Sequence, residues 1–565
     1  MKSLATLVLI FLAPTLMAQD KKKMEPADAI FINGNIWTGV KNGSATAKAQ
    51  ALAVKADRLV AVGTNDEVRK LKDGKTVVID LGGRFVMPGF NDAHLHLSGG
   101  GFEKMQVDLV GTKSLADMKQ RIAEHAKTAA PKEWLLGRGW DHTKWNEQVL
   151  PTRQDIDSVT GDHPAIFGRV DGHISVANSA ALKLAGIDRN TKDPDGGKID
   201  HDSNGEPTGI LRESAVGLVG EKIPPPTPSQ VRKAMELALA EAARWGLTSV
   251  QSQLLNNREW ADFLVCEDLE REGKLTARVT MWLPFDLPLA TIQQWRAHHP
   301  ATDPMLHTGM LKAYMDGSLG SRTAALRDPF SDEPGNKGLA QWDQAKLDQM
   351  ALERAAAGFQ FGFHAIGDRG ADMALDAFSK AQRYLQEQKR TSSREPRNRI
   401  EHDQVIEPDQ FAKYKELGVI ASVQPNHLLT DMYWAESRIG AERAKTSYPW
   451  RDFLKNDVVL AFGTDYPVEP LTPFRGIYAA VTRKSEDGTR EYYPEQKLTI
   501  NEALAAYTEG SAYADYAEKE KGMLQPGMLA DFVVLDRDLT KVEPREILGT
   551  KVLRTVVGGK TVFQR

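Results

Sequence analysis

The chain has 565 residues, of which 41% are hydrophobic and 26% charged, an ordinary globular composition that argues against a largely disordered or collagen-like protein. Lysine and arginine number 72 against 76 aspartates and glutamates, for a net charge of −4, so there is no basic excess to neutralise phosphates and no nucleic-acid partner is expected. The one cysteine, Cys266, excludes an internal disulfide and any paired-cysteine metal or redox motif. A metal in this protein must therefore be held by His, Asp, Glu or an unusual ligand.

The first residues have the pattern of an export signal. A short charged start is followed by an apolar run over 4–16, the small residue Ala18, and three lysines at 21–23. This pattern predicts a signal peptide over 1–18 that is cleaved after Ala18, with an uncleaved anchor as the alternative. The run is shorter than the roughly 20 apolar residues of a membrane-spanning helix. We therefore expect an exported protein, periplasmic or secreted, with no stable membrane insertion after cleavage.

Both ends of the mature chain are rich in predicted strands. Short apolar runs with turn residues between them lie at 29–34, 51–54, 58–63 and 76–80, and similar runs lie at 531–535 and 552–559. Because both ends are rich in strands and the middle of the chain is not, we predict one small β-sandwich domain that is formed from residues 27–85 and 522–565.

The middle of the chain, 86–521, alternates between short apolar runs and helical patterns. One helix start is explicit: Thr227-Pro228-Ser229-Gln230 combines a cap, a first-turn proline and a capping-box glutamine. Eight strands alternating with helices predict an α/β fold of the (β/α)₈ or TIM-like barrel type. The gap after the first strand is too long for one crossover, so an inserted subdomain is expected over about 97–245. The eight predicted strands are 86–91, 248–251, 277–283, 310–315, 360–364, 399–402, 419–423 and 458–463.

Histidines and one aspartate recur where these predicted strands end. His94 and His96 follow the first strand, and residues two apart on an extended segment point to the same side. His364, His402 and Asp465 lie at the ends of the fifth, sixth and eighth strands. Barrel enzymes place their catalytic groups at this edge. Four imidazoles and a carboxylate suit zinc or a similar borderline metal better than calcium or magnesium.

With these ligand positions the sequence resembles the amidohydrolase superfamily of metal-dependent hydrolases. The resemblance implies a further ligand, Lys312, inside the fourth strand. In binuclear members this lysine carries a CO₂-derived carbamate that bridges two metals; in mononuclear members it would be a buried or ion-paired lysine. The resemblance thus implies one or two divalent ions, held by His94, His96, Lys312, His364, His402 and Asp465.

Longer motifs resemble the amidohydrolase-3 branch, which includes N-substituted formamide deformylases. They are the segment that runs from Lys312 through Asp-Gly-Ser-Leu-Gly-Ser-Arg-Thr-Ala, the Gly-Arg-Gly-Trp-Asp of 137–141, the Asp-Gly-His of 171–173, and the segment 526–535. The similarity covers essentially the whole mature chain. A homodimer is an expectation from the family alone.

The resemblance implies hydrolysis of a C–N bond, in an amide, formamide or related non-peptide small molecule, by a metal-activated water with Asp465 as general base. The candidates for substrate binding are His427, Arg322, His173 and Trp140. A serine hydrolase would need a Gly-x-Ser-x-Gly elbow, and residues 316–320 lack its first glycine. Two further functions stay open: a barrel that binds a ligand or metal without turnover, and a hydrolase of cyclic amide, amidine or ester bonds.

Overall fold

The computed structural model of the protein describes residues 25–42, 45–170, 173–253, 259–389 and 395–565. The predicted signal peptide, 1–18, lies outside the described residues. Among the residues described, no helix combines the length and the apolar character that a membrane crossing requires.

The centre of the fold is a barrel of eight parallel strands, each paired with its neighbours in chain order. The first and eighth strands meet through their ends: the Asp465 amide donates to the His94 carbonyl at 2.7 Å, and the Asp92 carboxylate accepts from the Thr464 amide at 3.0 Å. The barrel is therefore nearly closed, and the predicted TIM-like fold is confirmed. Its strands, numbered 1 to 8 below, are Phe90–Leu95, Leu247–Gln253, Arg278–Pro284, Leu306–Tyr314, Phe361–Ala365, Arg399–His402, Ile420–Val423 and Leu460–Phe462.

The first barrel strand differs from its prediction at 86–91. The structure divides this run into Phe85–Pro88, which pairs with Phe532–Leu535 in a terminal sheet, and Phe90–Leu95, which opens the barrel. Proline cannot donate to a sheet, and an added Cβ at Gly89 would lie 2.1 Å from the Thr248 hydroxyl, so only glycine fits where the chain passes between the two sheets. As a result His94 lies within the strand, and His96 follows it.

Helices pack around the barrel. The predicted cap is present, since Thr227 and Gln230 form a reciprocal capping box at the start of Pro228–Arg244, and this helix buries one face that includes Val231, Met235 and Ala238. The larger helices between and after the barrel strands are Leu97–Lys104, Pro228–Arg244, Glu259–Arg271, Leu289–His298, Gln344–Ala356, Asp368–Glu387, Gln410–Leu417, Ala435–Lys445 and Pro473–Thr482. Shorter turns of helix are His427–Asp431, Trp450–Lys455, Pro494–Gln496, Ile500–Ala505, Ala506–Gly510, Ser511–Ala514 and Pro544–Gly549.

A separate six-stranded sheet lies between barrel strands 1 and 2 in the chain. Its strands are Val107–Asp108, Leu135–Trp140, Ala165–Arg169, Ile174–Ala177, Gly197–His201 and Pro207–Glu213. Helices Leu115–Ala126, Arg153–Thr160, Ser179–Ala185 and Ala215–Gly220, with the short turn His142–Lys144, accompany it. Two apolar clusters of its own give this segment a core apart from that of the barrel.

Strands from both chain ends form two further sheets. One contains Ala29–Ile32, Ala51–Lys55, Arg58–Gly63 and Val77–Asp80, and helix Asn65–Arg69 lies beside it. The other joins Asn35–Asn42, Ala45–Ala49 and Phe85–Pro88 to Phe532–Leu535, Val552–Val557 and Lys560–Gln564. The two sheets share an apolar cluster in which the rings of Phe31 and Phe532 meet edge to face, with centroids 4.9 Å apart. The β-rich region is thus built from both ends of the chain.

Candidate metal centre

The carboxyl ends of the barrel strands carry a cluster of imidazole, amino and carboxylate groups. Parallel strands bring these ends to one edge, so residues far apart in sequence become neighbours there. Two of the residues, His402 and Asp465, have positive φ angles of 82° and 58°, which are uncommon outside glycine and occur where a site over-determines the backbone. The ligand candidates lie on strand 1 (His94), just after it (His96), on strands 4, 5 and 6 (Lys312, His364, His402) and after strand 8 (Asp465).

Asp465 is the centre of this cluster. Its Oδ1 atom lies 3.1 Å from His96 Nε2 and 3.5 Å from His94 Nε2, and its Oδ2 atom lies 3.1 Å from His427 Nε2. Burial alone would raise the pKa of Asp465, but the neighbouring His94, with His427 and His96, holds that pKa well below its usual range. Asp465 therefore stays ionised at neutral pH.

Glu401, a residue that did not stand out in the sequence, contacts the other ring nitrogen of His94. His94 Nδ1 lies 2.7 Å from Glu401 Oε2, and both side chains are buried. Arg399 lies 2.8 Å from the other carboxylate oxygen. Burial opposes ionisation of Glu401, but Arg399 and His94 bring its pKa down to about 2. The sequence signal for this pair is two charged residues, Arg399 and Glu401, two positions apart in a predicted buried strand, where both side chains face the same way.

Lys312 projects into the same space. Its Nζ atom is 3.4 Å from His94 Nε2 and lies over the rings of Trp282 and Tyr314, 5.4 and 5.3 Å from their centroids. Burial lowers the pKa of Lys312 to about 8, against the opposing charges of Glu401 and Asp465. A neutral amine is therefore more accessible here than at an exposed lysine.

His364 and His402 pack against each other, with ring centroids 4.4 Å apart. The Nε2 atom of His364 is directed to the Gly317 carbonyl at 3.0 Å, and the His402 ring lies 4.8 Å from that of His94. Burial lowers the pKa of His364 to about 3 and that of His402 well below its usual range. Both rings are thus held neutral, the form in which imidazole binds a metal.

The residues present fit a divalent ion. Within the described residues, the ligand atoms of His94, His96 and Asp465 form one group in which all lie within 4.8 Å of one another, and those of His402, His427 and Asp465 form a second. Ligands about 2.0–2.1 Å from a tetrahedral zinc lie roughly 3.3 Å from each other, close to the 3.1 and 3.5 Å found around Asp465 Oδ1. That oxygen is buried and has no aligned hydrogen-bond donor among the residues described. The donor set is that of a borderline metal such as zinc.

Known proteins resemble this chain over most of its length. A model of the Amidohydrolase family matches residues 77–563. The chain belongs to the amidohydrolase family. It is 31% identical to the amidohydrolase candidate YtcJ of Bacillus subtilis over 95% of this chain and 99% of that protein. It is 27% identical to the N-substituted formamide deformylase of Arthrobacter pascens over 95% of this chain and 98% of that protein. The crystal structure of an uncharacterized metal-dependent hydrolase from Pyrococcus horikoshii matches with a TM-score of 0.75 and 30% identity, over 91% of this chain and 99% of that one.

Family membership and these neighbours establish the general class of the protein: it is a hydrolase with a barrel fold, from a family of metal-dependent hydrolases. His364 and His402 lie at the ends of strands 5 and 6, Asp465 follows strand 8 and Lys312 lies inside strand 4, as predicted, whereas His94 lies within strand 1 rather than after it. His427, selected from the sequence as a substrate residue, lies in direct contact with Asp465. It begins the short helix His427–Asp431 after strand 7.

The remaining three predicted substrate residues have different surroundings. Arg322 is paired with Asp332, at 3.1 and 2.9 Å. His173 is exposed, and its Nδ1 atom is 3.0 Å from Glu213. Trp140 is fully buried in the core of the inserted sheet, where its Nε1 atom donates to the Phe167 carbonyl at 2.8 Å. In this structure Trp140 therefore offers no surface to a substrate, while substrate roles for Arg322 and His173 stay predictions.

Proposed function

We propose that this amidohydrolase hydrolyses a C–N bond of a small amide, formamide or related non-peptide compound, with Asp465 as general base. The single observation that carries the proposal is the position of Asp465, an ionised buried carboxylate in contact with His94, His96 and His427. A base must be ionised and within hydrogen-bond reach of the proton that it removes. The Arthrobacter pascens relative, named as an N-substituted formamide deformylase, supports the C–N bond as the target.

The metal of this proposal is one or two zinc ions. Held by His94, His96 and Asp465, and in a second position by His364 and His402, zinc would supply an acidified water and polarise the substrate carbonyl. In a binuclear form Lys312 would carry a carbamate. A cationic amine 3.4 Å from His94 Nε2 would repel a metal, whereas a carbamate offers it anionic oxygens.

The protein groups then have separate tasks. Asp465 accepts the proton of the attacking water and delivers it to the leaving nitrogen, so no second base is needed. Glu401 fixes the orientation of His94 through its Nδ1 atom, a distance of 2.7 Å. His427 contacts Asp465 Oδ2 and so limits the rotation of the carboxylate.

Export to the periplasm or the exterior belongs to the same proposal and depends on the first residues of the sequence alone. It matches a small-molecule hydrolase that meets its substrate outside the cytoplasm. N-terminal sequencing of the protein recovered from the producing cell would detect cleavage after Ala18; a chain that begins at Met1 in the cytoplasm would contradict the proposal.

Substitution of Asp465 by Asn tests the base role. We expect turnover of a formamide or acetamide substrate to fall by about 10²–10⁴-fold, since the amide cannot accept the proton, while the histidine ligands retain metal. The control is Asp376→Asn, which alters an exposed aspartate paired with Lys413 on the barrel exterior. Activity of Asp465→Asn equal to that of the control, at equal metal content, would show that another group is the base.

A further inference from the structure

Two polar side chains at the barrel mouth have no part in the chemistry described so far. Gln253 lies at the end of strand 2 and Tyr314 at the end of strand 4. Gln251 reaches into the barrel, where it contacts Arg399, and Lys312 reaches in toward His94. Since residues two apart on a strand face the same way, Gln253 and Tyr314 also point inward, one layer closer to the mouth.

Tyr314 lies beside the candidate metal ligands. Its ring centroid is 5.2 Å from that of His364 and 5.3 Å from Lys312 Nζ. The residue is 37% exposed, although its neighbours Ala313 and Met315 are buried, so it is open to a molecule in the barrel mouth. A tyrosine hydroxyl can donate one hydrogen bond as well as accept one, so Tyr314 has a hydroxyl proton to offer to a ligand.

The Gln253–Tyr314 hydrogen bond directs that hydroxyl proton. Gln253 Nε2 donates to the Tyr314 hydroxyl oxygen. The Tyr314 hydroxyl oxygen thus accepts a hydrogen bond from Gln253. Among the described residues, no acceptor receives a hydrogen bond from the Tyr314 hydroxyl. A hydroxyl in this state is a free donor for a ligand.

Gln253 has a buried polar atom without a hydrogen-bond partner in the described part of the chain, which lowers the stability of the fold. It is 7% exposed, and its Oε1 atom has no hydrogen-bond partner among the described residues. A buried polar atom without a partner is costly, and an apolar side chain of similar size would avoid the cost. Such local inconsistencies concentrate at functional sites. Gln253 is accounted for if its task is to orient Tyr314.

We propose that Tyr314 is a catalytic hydrogen-bond donor to the substrate carbonyl oxygen and that Gln253 is the residue that positions it. The proposal rests on the C–N hydrolase function proposed above, and specifies how the substrate is recognised. As water adds to the carbonyl carbon, negative charge develops on this oxygen, and a donor already aimed at it stabilises that charge without reorganisation. The subsite thus favours substrates whose carbonyl oxygen can accept this hydrogen bond, such as formamides and acetamides.

The test compares Tyr314→Phe, Gln253→Met and the double variant with Tyr384→Phe, a matched control on the outer helix Asp368–Glu387. For Tyr314→Phe we expect kcat to fall by about 10²–10³-fold, the loss typical of one oxyanion donor, with KM and metal content nearly unchanged. Gln253→Met is expected to lower kcat by about tenfold. The kcat of the double variant should be no lower than that of Tyr314→Phe, because Gln253 acts only through Tyr314.

A binding measurement separates this proposal from the proposed function. Acetohydroxamate binds zinc as an anion whose carbonyl oxygen shares the negative charge, so without turnover it presents the charge that Tyr314 is proposed to stabilise. Its affinity for the zinc-loaded protein is measured by calorimetry. We expect Tyr314→Phe to bind it at least tenfold more weakly than wild type and Tyr384→Phe to bind it equally well. If wild type hydrolyses no amide but this affinity difference is found, the function is wrong and the donor role stands. Equal affinities, kcat values within threefold of the control, or multiplicative losses in the double variant would each overturn the inference.

Discussion

Glu401→Gln tests how the protein orients its metal ligands. The substitution keeps the shape of the side chain and its position beside His94 Nδ1, 2.7 Å away, but removes the negative charge. A hydrogen bond to a charged group contributes about 1.5–3 kcal/mol, and one between neutral groups about 0.5–1.5 kcal/mol. The difference of about 1–2 kcal/mol converts to a roughly 5- to 30-fold weaker metal affinity, which overlaps the roughly 10- to 100-fold cost of losing the partner of a ligating histidine.

The fold should survive this substitution. Arg399, the cationic partner of Glu401, retains hydrogen bonds to Gln251, to the Ala93 carbonyl at 2.7 Å and to the Ser422 hydroxyl at 2.6 Å. Its charge nevertheless loses a buried counterion, so we expect a lower melting temperature as well.

The assay is a zinc titration against a competing chelator, with Glu416→Gln, an exposed residue on helix Gln410–Leu417, as the matched control. Circular dichroism verifies that each variant is folded at the temperature of the titration. A zinc affinity within twofold of the control, in a folded Glu401→Gln protein, would refute the argument that Glu401 acts through His94.

Two further substitutions have defined outcomes. Lys312→Ala should lose about one metal per chain by elemental analysis, with partial recovery in acetate or propionate, which can replace the carbamate; an unchanged stoichiometry would contradict a bridging role. Gly101→Ala should lower the free energy of unfolding in urea by about 1–3 kcal/mol, because its new Cβ would lie 1.9 Å from the Ala234 carbonyl oxygen, where two helices make close contact. Gly217→Ala, with no atom within 4 Å of the added Cβ, should instead stabilise helix Ala215–Gly220 by about 0.5–1 kcal/mol, and equal effects of the two substitutions would refute the packing argument.

Much of the barrel follows from local sequence pattern. Strand 6 was predicted with the observed bounds, Arg399–His402. Strand 7 was predicted within one residue, because a buried parallel strand is a short apolar run between turn signals. The pattern failed at strand 1. Residues 86–91 form an apolar run that contains Pro88 and Gly89, and the division at this pair depends on contact with Thr248, which is distant in the sequence.

The candidate site was only partly predictable for a related reason. Histidines at strand ends stand out in a sequence because so few residue types serve as metal ligands. Glu401, Gln253 and Tyr314 do not stand out, because each is an ordinary strand residue in the sequence. Only the pairing of the strands into a barrel brings their side chains near the candidate metal centre. The six-stranded sheet inserted after strand 1 was expected only as an unspecified subdomain, because its pairing order is not encoded in local periodicity.

We propose above that this amidohydrolase uses a metal held at the barrel mouth to hydrolyse C–N bonds. The most direct measurement is hydrolysis of a panel of formamides and acetamides by one preparation, assayed as purified, after removal of metal by a chelator, and after return of zinc. We predict activity that is lost with the metal and regained in proportion to the zinc bound, up to one or two ions per chain. Amide hydrolysis that persists in the metal-free protein, or zinc binding at these sites with no hydrolysis of any compound in the panel, would contradict the claim.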